Sequence, residues 1–387
     1  MVLYDFANLL VILVLVICLF RIGIIPLWLS FFLALSAFIP FLLNDVLFSA
    51  MLMSDQYGYL TVTQEIRSNS SVFQESSILW AGGNITQYSE GHSPTLSWAG
   101  QLFALIPLPY VETIQSLGFF NRFIATILIS WLYFSKGLRG WPLLFVIFYP
   151  SFLLYSSLTL RDTFILLFMI VSVILFIEKR RLVAIVIALP LVVIKLQNFA
   201  LIIIFFIIHL SFSKDSFFYR LRYLLIPGFL LALSPFVMEL IELLNFYRRA
   251  FHLGDGGDLA SYVPINGLGD FFVIATQAVP YFFFKPMIWE ASNVLQLIQS
   301  LENFIVTIFI IFLFIKAFKI NRSLALKWLA FLIISFAIYG LVVSNFGTAA
   351  RYRFPFILTF VIGIAYELYL KHGMFILNNS VKNKATL

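Results

Sequence analysis

The sequence predicts an all-α integral membrane protein with about 11 transmembrane helices and two long extracytoplasmic loops that carry interfacial helices. Composition is the first reason: the 387-residue chain is 62% hydrophobic and only 11% charged, with mean hydropathy +1.00, far from the balance of a soluble domain. Continuity is the second. Apolar runs such as Phe164–Ile177 are unbroken rather than alternating, so helices and not barrel strands satisfy the backbone in lipid. The third is the placement of basic residues in short connections between those runs, which gives the chain two distinguishable faces.

Candidate spans fall at about 7–20, 24–43, 113–134, 141–156, 163–177, 182–195, 199–212, 223–242, 302–318, 328–345 and 353–370. The start, Met1–Asp5, lacks a basic n-region, so the first span is expected to stay in the membrane. One set of connections holds Arg21; Lys136 and Arg139; Lys179, Arg180 and Arg181; Lys214, Arg220 and Arg222; Lys316, Lys319, Arg322 and Lys327; and Lys371, Lys382 and Lys384. That set contains most of the Lys and Arg and defines the cytoplasmic face. Most acids, among them Asp45, Asp55, Asp162, Asp255, Asp258 and Asp270, fall on the other face. An odd number of spans then puts the N-terminus outside and the C-terminus inside. The chain reads as one polytopic membrane domain, 1–387, with a first outer loop at 44–112 and a second at 243–301. The net charge of +7 is spread over these connections and does not indicate nucleic acid. The single cysteine, Cys18, excludes a disulfide framework and a thiolate metal site.

Both outer loops have internal order. Asp55–Arg67 is expected to form a short helix. Thr95–Leu108 is an apolar helical stretch ending at Pro107 and Pro109, too short to span, and reads as lying in the interface. Phe271–Trp289, interrupted by Pro280 and Pro286, reads the same way. Gly254–Asp258 has a faint likeness to a calcium loop, and a turn is the simpler reading.

The residues with chemical potential gather on the outer face. Arg161-Asp162 has almost no loop on either side, so both charges stand at or just below the membrane surface. Placing a charge deeper costs about 3 kcal/mol unless it is paired or meets a wet cavity. Lys195 occupies the corresponding end of the next hairpin, Arg248 and Arg249 open the second outer loop, and Arg351 and Arg353 follow Asn345–Ala350 with hardly any loop. Cations at one depth suit a phosphate or pyrophosphate, which arginine binds through two parallel hydrogen bonds. A facing carboxylate, Asp55, with Asp162 as a second, suits proton abstraction from an attacking hydroxyl. Simpler roles stand beside these: Asp55 as a helix cap, Arg161 with Asp162 as a local pair, Arg351 and Arg353 as anchors to lipid head groups, His92 as a loop residue. No phosphate-binding glycine loop, Ser-His-Asp arrangement or zinc motif occurs.

The order of these features resembles the GT-C superfamily of polytopic glycosyltransferases, in particular the protein mannosyltransferase and lipid A aminoarabinose transferase group. The resemblance rests on an acid followed by a spaced tyrosine in the first outer loop, Asp55-Gln56-Tyr57-Gly58-Tyr59. Further along come Gly91-His92-Ser93-Pro94-Thr95-Leu96 before an interfacial helix, and Asn121-Arg122 near the start of a span. Pro150 with Tyr155-Ser156, and Arg351-Tyr352-Arg353-Phe354-Pro355 opening the last span, complete it. The outer arginines and the Phe/Ile richness also resemble Wzy-type O-antigen polymerases. Where the first group often has two adjacent acids, this chain has Asp55-Gln56, so a second carboxylate has to come from Asp45 or Asp162. The resemblance implies a polyprenyl-linked sugar donor, a glycan or lipid-linked acceptor, and work in surface polysaccharide assembly. In that reading Asp55 and Asp162 are catalytic and Arg161, Lys195, Arg248, Arg351 and Arg353 hold the lipid phosphate. Tyr59 and His92 touch the acceptor or the loop, and membrane lipids are the other partners. No cofactor is implied; a divalent metal is compatible with the scheme and nothing calls for one. A flippase of lipid-linked oligosaccharides is the competing reading.

Overall fold

A computed structural model of the protein describes residues 2–44, 46–47, 49–53, 55–68, 94–212, 237–254, 262–343 and 345–372. Helices build it, and no β-strand occurs among the described residues. Among the described residues, five helices are long and apolar enough to cross a membrane: Tyr4–Arg21, Ser116–Phe134, Gln296–Ile320, Arg322–Gly340 and Phe346–Leu368. Shorter apolar helices lie at Leu27–Leu43, Asp162–Ile177, Arg181–Ile194, Leu196–Phe212 and Leu268–Phe284. The chain packs as two compact units, Met1–Phe199 and Ala200–Leu387.

The first unit opens with α1 (Val2–Arg21), which packs on α2 (Leu27–Ser36) and on the long α6 (Ser116–Ser135). Polar side chains on α1 fix the segment before α6. Asp5 accepts hydrogen bonds from the Thr113 hydroxyl (2.6 Å) and the Ser116 hydroxyl (2.8 Å), and Asn8 exchanges two with the Tyr110 backbone.

The expected spans at 24–43, 141–156 and 182–195 are each interrupted. They become α2 and α3 (Ile39–Leu43), α7 (Trp141–Phe148) and α8 (Pro150–Tyr155), and α10 (Arg181–Ala188) and α11 (Pro190–Ile194). Every second piece starts with a proline in its first two positions: Pro40, Pro150 and Pro190. Proline has no N–H to donate and disfavours helical backbone in the residue before it. Apolar content alone therefore overestimates helix continuity here.

The first long loop folds as expected where it is described. α4 (Asp55–Ser68) and α5 (Pro94–Ala104) pair closely. Gly100 permits that approach, because a Cβ there would stand 2.5 Å from Val62 Cγ1. Arg67 at the end of α4 donates to the carbonyls of Leu108 (2.7 Å) and Ile106 (2.5 Å), and its guanidinium lies 4.8 Å from the centre of the Phe120 ring. Arg67 thereby binds backbone carbonyls of the segment that follows α5. Burial lowers its pKa from the ordinary arginine value. Phe103 of α5 meets Tyr59 of α4 (6.3 Å) on one side and Phe164 of α9 (Asp162–Ile177) on the other (5.0 Å). α11 packs on both α5 and α9.

α12 (Leu196–Phe212) leads from the first unit into the second. In the second unit α13 (Val237–Gly254) precedes a packed group of α14 (Leu268–Phe284), α15 (Val294–Ile320), α16 (Arg322–Gly340) and α17 (Phe346–His372). These are longer and less interrupted. α14 runs through Pro280, and α17 through Pro355. Phe282 packs between Phe336 (5.5 Å) and Tyr339 (6.2 Å), and Trp328 lies so close to α17 that only glycine fits at position 363. α15 and α16 both start on asparagine caps: Asn293 accepts from the Gln296 N–H and Asn321 from the Leu324 N–H.

Candidate functional site

Five of the nominated residues that are described fall in the first unit. Asp55 is the first residue of α4 and is exposed, whereas Gln56 beside it is fully buried. Successive helical residues are about 100° apart, so one faces out and the next faces in. Gln56 exchanges two hydrogen bonds with Asn44 (3.0 and 3.1 Å) and accepts one from the Thr159 N–H (3.1 Å). That last bond ties the start of α4 to the turn entering α9. Arg161 and Asp162 follow on that turn, Arg161 half-buried and Asp162 buried in the first turn of α9. Lys195, half-buried, ends α11, which packs against α5 and α9. Asp55, Arg161, Asp162 and Lys195 are thus borne by one group of mutually packed elements. Tyr59 is buried against Phe103 and belongs to the packing of α4 on α5. His92 and Asp45 lie outside the described residues, as do Asp255 and Asp258 of the expected turn.

Behind this junction the first unit holds polar groups that the sequence does not single out as a set. The buried guanidinium of Arg122 donates to the hydroxyls of Ser156 (2.7 Å) and Ser36 (2.5 Å). Both hydroxyls donate in turn to carbonyls in their own helices, Phe152 and Leu33. Asn121 donates to the carbonyls of Leu158 (2.6 Å) and Leu160 (2.7 Å). Asn121 and Arg122 therefore bind the ends of interrupted helices and the turn before α9. Backbone groups freed by a break in an apolar core need such partners.

The other nominated cations belong to the second unit. Arg353 is buried and donates to the carbonyls of Phe282 and Phe283 (2.8 Å each) and to the Asn303 side chain. Asn303 itself donates to the Lys285 carbonyl (2.9 Å). Arg353 thus closes the C-terminal end of α14 and links it to α15, where phosphate binding is the expectation from sequence. Arg351, half-buried, stands over the neighbouring Tyr352 ring, which packs on Tyr339 (5.3 Å).

Arg248 is placed differently. It lines a cavity of about 350 Å³ together with His252, Tyr262, Gln277 and Tyr281, against an apolar wall that includes Ile274 and Leu341. Its buried Nη1 meets no acceptor among the described residues. Burial lowers the Arg248 pKa from the ordinary arginine value, and the nearby Tyr262 acts in the opposite direction. Asn245 holds Tyr262 of that lining in place. It donates to the Ile265 carbonyl (2.8 Å) and accepts from the Ile265 N–H (2.9 Å), while the Tyr262 hydroxyl donates to its carbonyl (2.9 Å). Among the described residues no three His, Cys, Asp or Glu side chains come together to hold a metal ion.

The largest departure from the sequence reading is at Lys327, which the charge pattern assigns to the cytoplasmic face, and at its partner Glu367. Both are buried. Lys327 Nζ lies 2.6 and 2.5 Å from the two oxygens of Glu367 and 2.9 Å from His209 Nδ1, and the Trp328 indole N–H donates to Glu367 (2.6 Å). No local signal marks a partnership across 40 residues. The only cue is that Lys327 falls inside the apolar run 324–340 rather than before it.

In comparisons with protein families, curated proteins and solved structures, nothing matches this chain.

Proposed function

We propose that this chain is a membrane glycosyltransferase that takes its sugar from a polyprenyl-phosphate- or pyrophosphate-linked donor on the extracytoplasmic face. It works in surface polysaccharide or O-antigen assembly, by transfer of one sugar or by polymerisation of repeat units. The observation that carries this reading is the junction of α4 with the turn entering α9. There an exposed carboxylate, Asp55, and the charged residues Arg161 and Asp162 stand beside the Gln56–Thr159 hydrogen bond. Lys195 belongs to the same packed group. In the reaction the acceptor hydroxyl oxygen attacks the anomeric carbon and the bond from that carbon to the phosphate oxygen breaks. The lipid phosphate departs with the electron pair. Asp55 takes the hydroxyl proton, Asp162 is the second carboxylate, and Arg161 and Lys195 neutralise the leaving group. Arg248 and Arg351, the other cations that the sequence nominates for the phosphate, belong to the second unit and are not assigned to this site. Arg353, engaged with carbonyls, positions α14 and is not assigned to the phosphate.

This function goes with the topology of about 11 spans expected from the sequence, with 44–112 and 243–301 as outer loops, the N-terminus outside and the C-terminus cytoplasmic. The setting is the inner membrane of a bacterium. One observation favours the competing flippase reading: the three helices interrupted at Pro40, Pro150 and Pro190, since discontinuous helices line substrate paths in transporters.

One complementation experiment decides between them. A strain lacking this protein, complemented with Asp55→Asn, is expected to lose the glycan product while the variant accumulates normally in the membrane. Unchanged glycans at normal protein level overturn the catalytic assignment. In the deletion strain, long chains collapsing to one repeat identify a polymerase, and a repeat missing one sugar identifies a single-sugar transferase. Lipid-linked repeats retained on the cytoplasmic side identify a flippase and overturn the transferase reading.

A further inference from the structure

The catalytic proposal makes no use of the most strongly charged buried group in the second unit, formed by His209, Lys327 and Glu367. We infer that it is a proton-binding site whose occupancy controls the docking of the end of α12 on α16 and α17. The ammonium of Lys327 has three N–H donors, and three acceptors surround it: the two carboxylate oxygens of Glu367 at 2.6 and 2.5 Å and His209 Nδ1 at 2.9 Å. Glu367 receives a further hydrogen bond from the Trp328 indole at 2.6 Å. In this arrangement His209 Nδ1 accepts, so it carries no proton, and the three side chains together are electrically neutral.

A proton added to Nδ1 changes both geometry and charge. The Nδ1–H would point at the Lys327 ammonium, so their hydrogen bond is lost. The group also gains a positive charge among Phe205, Trp328 and Phe331, whose rings pack together at 4.7 and 5.3 Å from Phe205. Glu367 lies 3.8 Å from His209 Nδ1 and offsets part of that charge, but its single negative charge is already shared with Lys327. The His209 side chain retains 16% exposure, against 5% for Lys327 and 1% for Glu367, so it is the least enclosed member of the group.

The same side chains hold the α12 end in place. His209 and Phe205 contact Lys327, Trp328 and Phe331 of α16, and the Ser323 hydroxyl donates to the Phe212 carbonyl (3.5 Å). Among the described residues, Lys327 on α16 and Glu367 on α17 are the titratable groups that reach His209; Lys214, Asp215, Arg220 and Arg222 follow outside them. The docked form binds one proton fewer than the released form, so docking strengthens as pH rises and weakens as it falls. Ordinary imidazoles titrate near pH 6.5, roughly the midpoint of the range to examine.

The test is hydrogen–deuterium exchange of the full-length protein in lipid nanodiscs at pH 8 and pH 5, corrected for intrinsic exchange. The amides of residues 205–212 are expected to exchange at least tenfold faster at pH 5, while α6 exchanges equally at both. In His209→Gln the side-chain carbonyl still accepts from Lys327 but cannot titrate, so protection is expected to stay high at both pH values. Equal protection of wild-type 205–212 at the two pH values overturns the inference, and so does a pH response that persists in His209→Gln. If His209→Gln is unprotected even at pH 8, His209→Asn is measured, and loss of docking in both variants also overturns it, because a neutral acceptor would then not suffice.

Discussion

The two units solve the same problem, polar side chains in an apolar interior, in different ways. In the first unit the helices break at Pro40, Pro150 and Pro190, and the buried polar groups bind backbone and hydroxyl oxygens near those breaks: Asn121 to Leu158 and Leu160, Arg122 to Ser36 and Ser156. In the second unit the long helices leave fewer loose backbone groups, and opposite charges meet directly, as in Lys327 with Glu367. Arg353 in the second unit follows the first pattern, because its acceptors include the carbonyls at the end of α14, where a helix stops. A helix that stops thus recruits polar side chains to its backbone in either unit, whereas Lys327 and Glu367 pair across two continuous helices. A buried ion pair and a buried backbone staple also fail differently when one partner is removed.

The largest effect follows from removing one charge. Glu367→Gln leaves the Lys327 ammonium buried without a carboxylate, and breaking such a pair costs about 3–5 kcal/mol. Denaturant titration in detergent micelles should register this loss, and Lys327→Met in the same background should recover most of it. If Arg122→Met, which removes a cation held by neutral hydroxyls, destabilises as much as Glu367→Gln, the contrast between the units is wrong.

A second comparison applies one chemical change to both units. An added Cβ at Gly363 would stand 2.0 Å from Trp328 Cη2 and 2.3 Å from Cζ2, and that indole is fixed by its bond to Glu367. An added Cβ at Gly100 would stand 2.5 Å from Val62 Cγ1, on a helix pair formed by the loop helices α4 and α5. Overpacking typically costs about 1–3 kcal/mol, and a rigid ring between long helices places Gly363→Ala at or above the upper end. Gly100→Ala should lie at the lower end, since α5 has more room to shift. Melting temperatures of the two variants against wild type check the order.

What the sequence discloses follows the same division. Local pattern predicts α4 at Asp55–Arg67 where the helix is Asp55–Ser68, and an apolar helical stretch at Thr95–Leu108 where the helix is Pro94–Ala104. Within the last three expected spans the helices are present and longer. The interruptions were written in three prolines, but an average over an apolar window does not register a lost N–H. Among site residues, the location of Asp55 at the head of a helix was legible because it depends on neighbours in sequence. The engagement of Arg353 with α14 carbonyls and the burial of Lys327 with Glu367 were not legible, because both depend on residues 40 or more positions away. Charge counting places a lysine near a span end in water by default; only packing reveals that an acid on another helix has drawn it inward.

The last prediction concerns the position where the resemblance read from the sequence and this chain part. Replacing Gln56 by Glu restores two adjacent acids in sequence but not in space, since position 55 is exposed and position 56 fully buried. The new carboxylate would still accept from Asn44 Nδ2 and from the Thr159 N–H, the two bonds that use Gln56 Oε1. It cannot donate to Asn44 Oδ1, the acceptor now 3.1 Å from Gln56 Nε2. One lost hydrogen bond at a buried site costs about 1–2 kcal/mol, and the charge adds to that unless a proton is taken up. Gln56→Glu should therefore be modestly less stable, with a deficit that shrinks as pH falls and the introduced carboxyl becomes a donor. Denaturant titration at pH 5 and pH 8 measures this. A variant as stable as wild type at pH 8 would mean that the amide is not needed to join the start of α4 to the turn entering α9, and the rigid seat proposed for Asp55 would go with it.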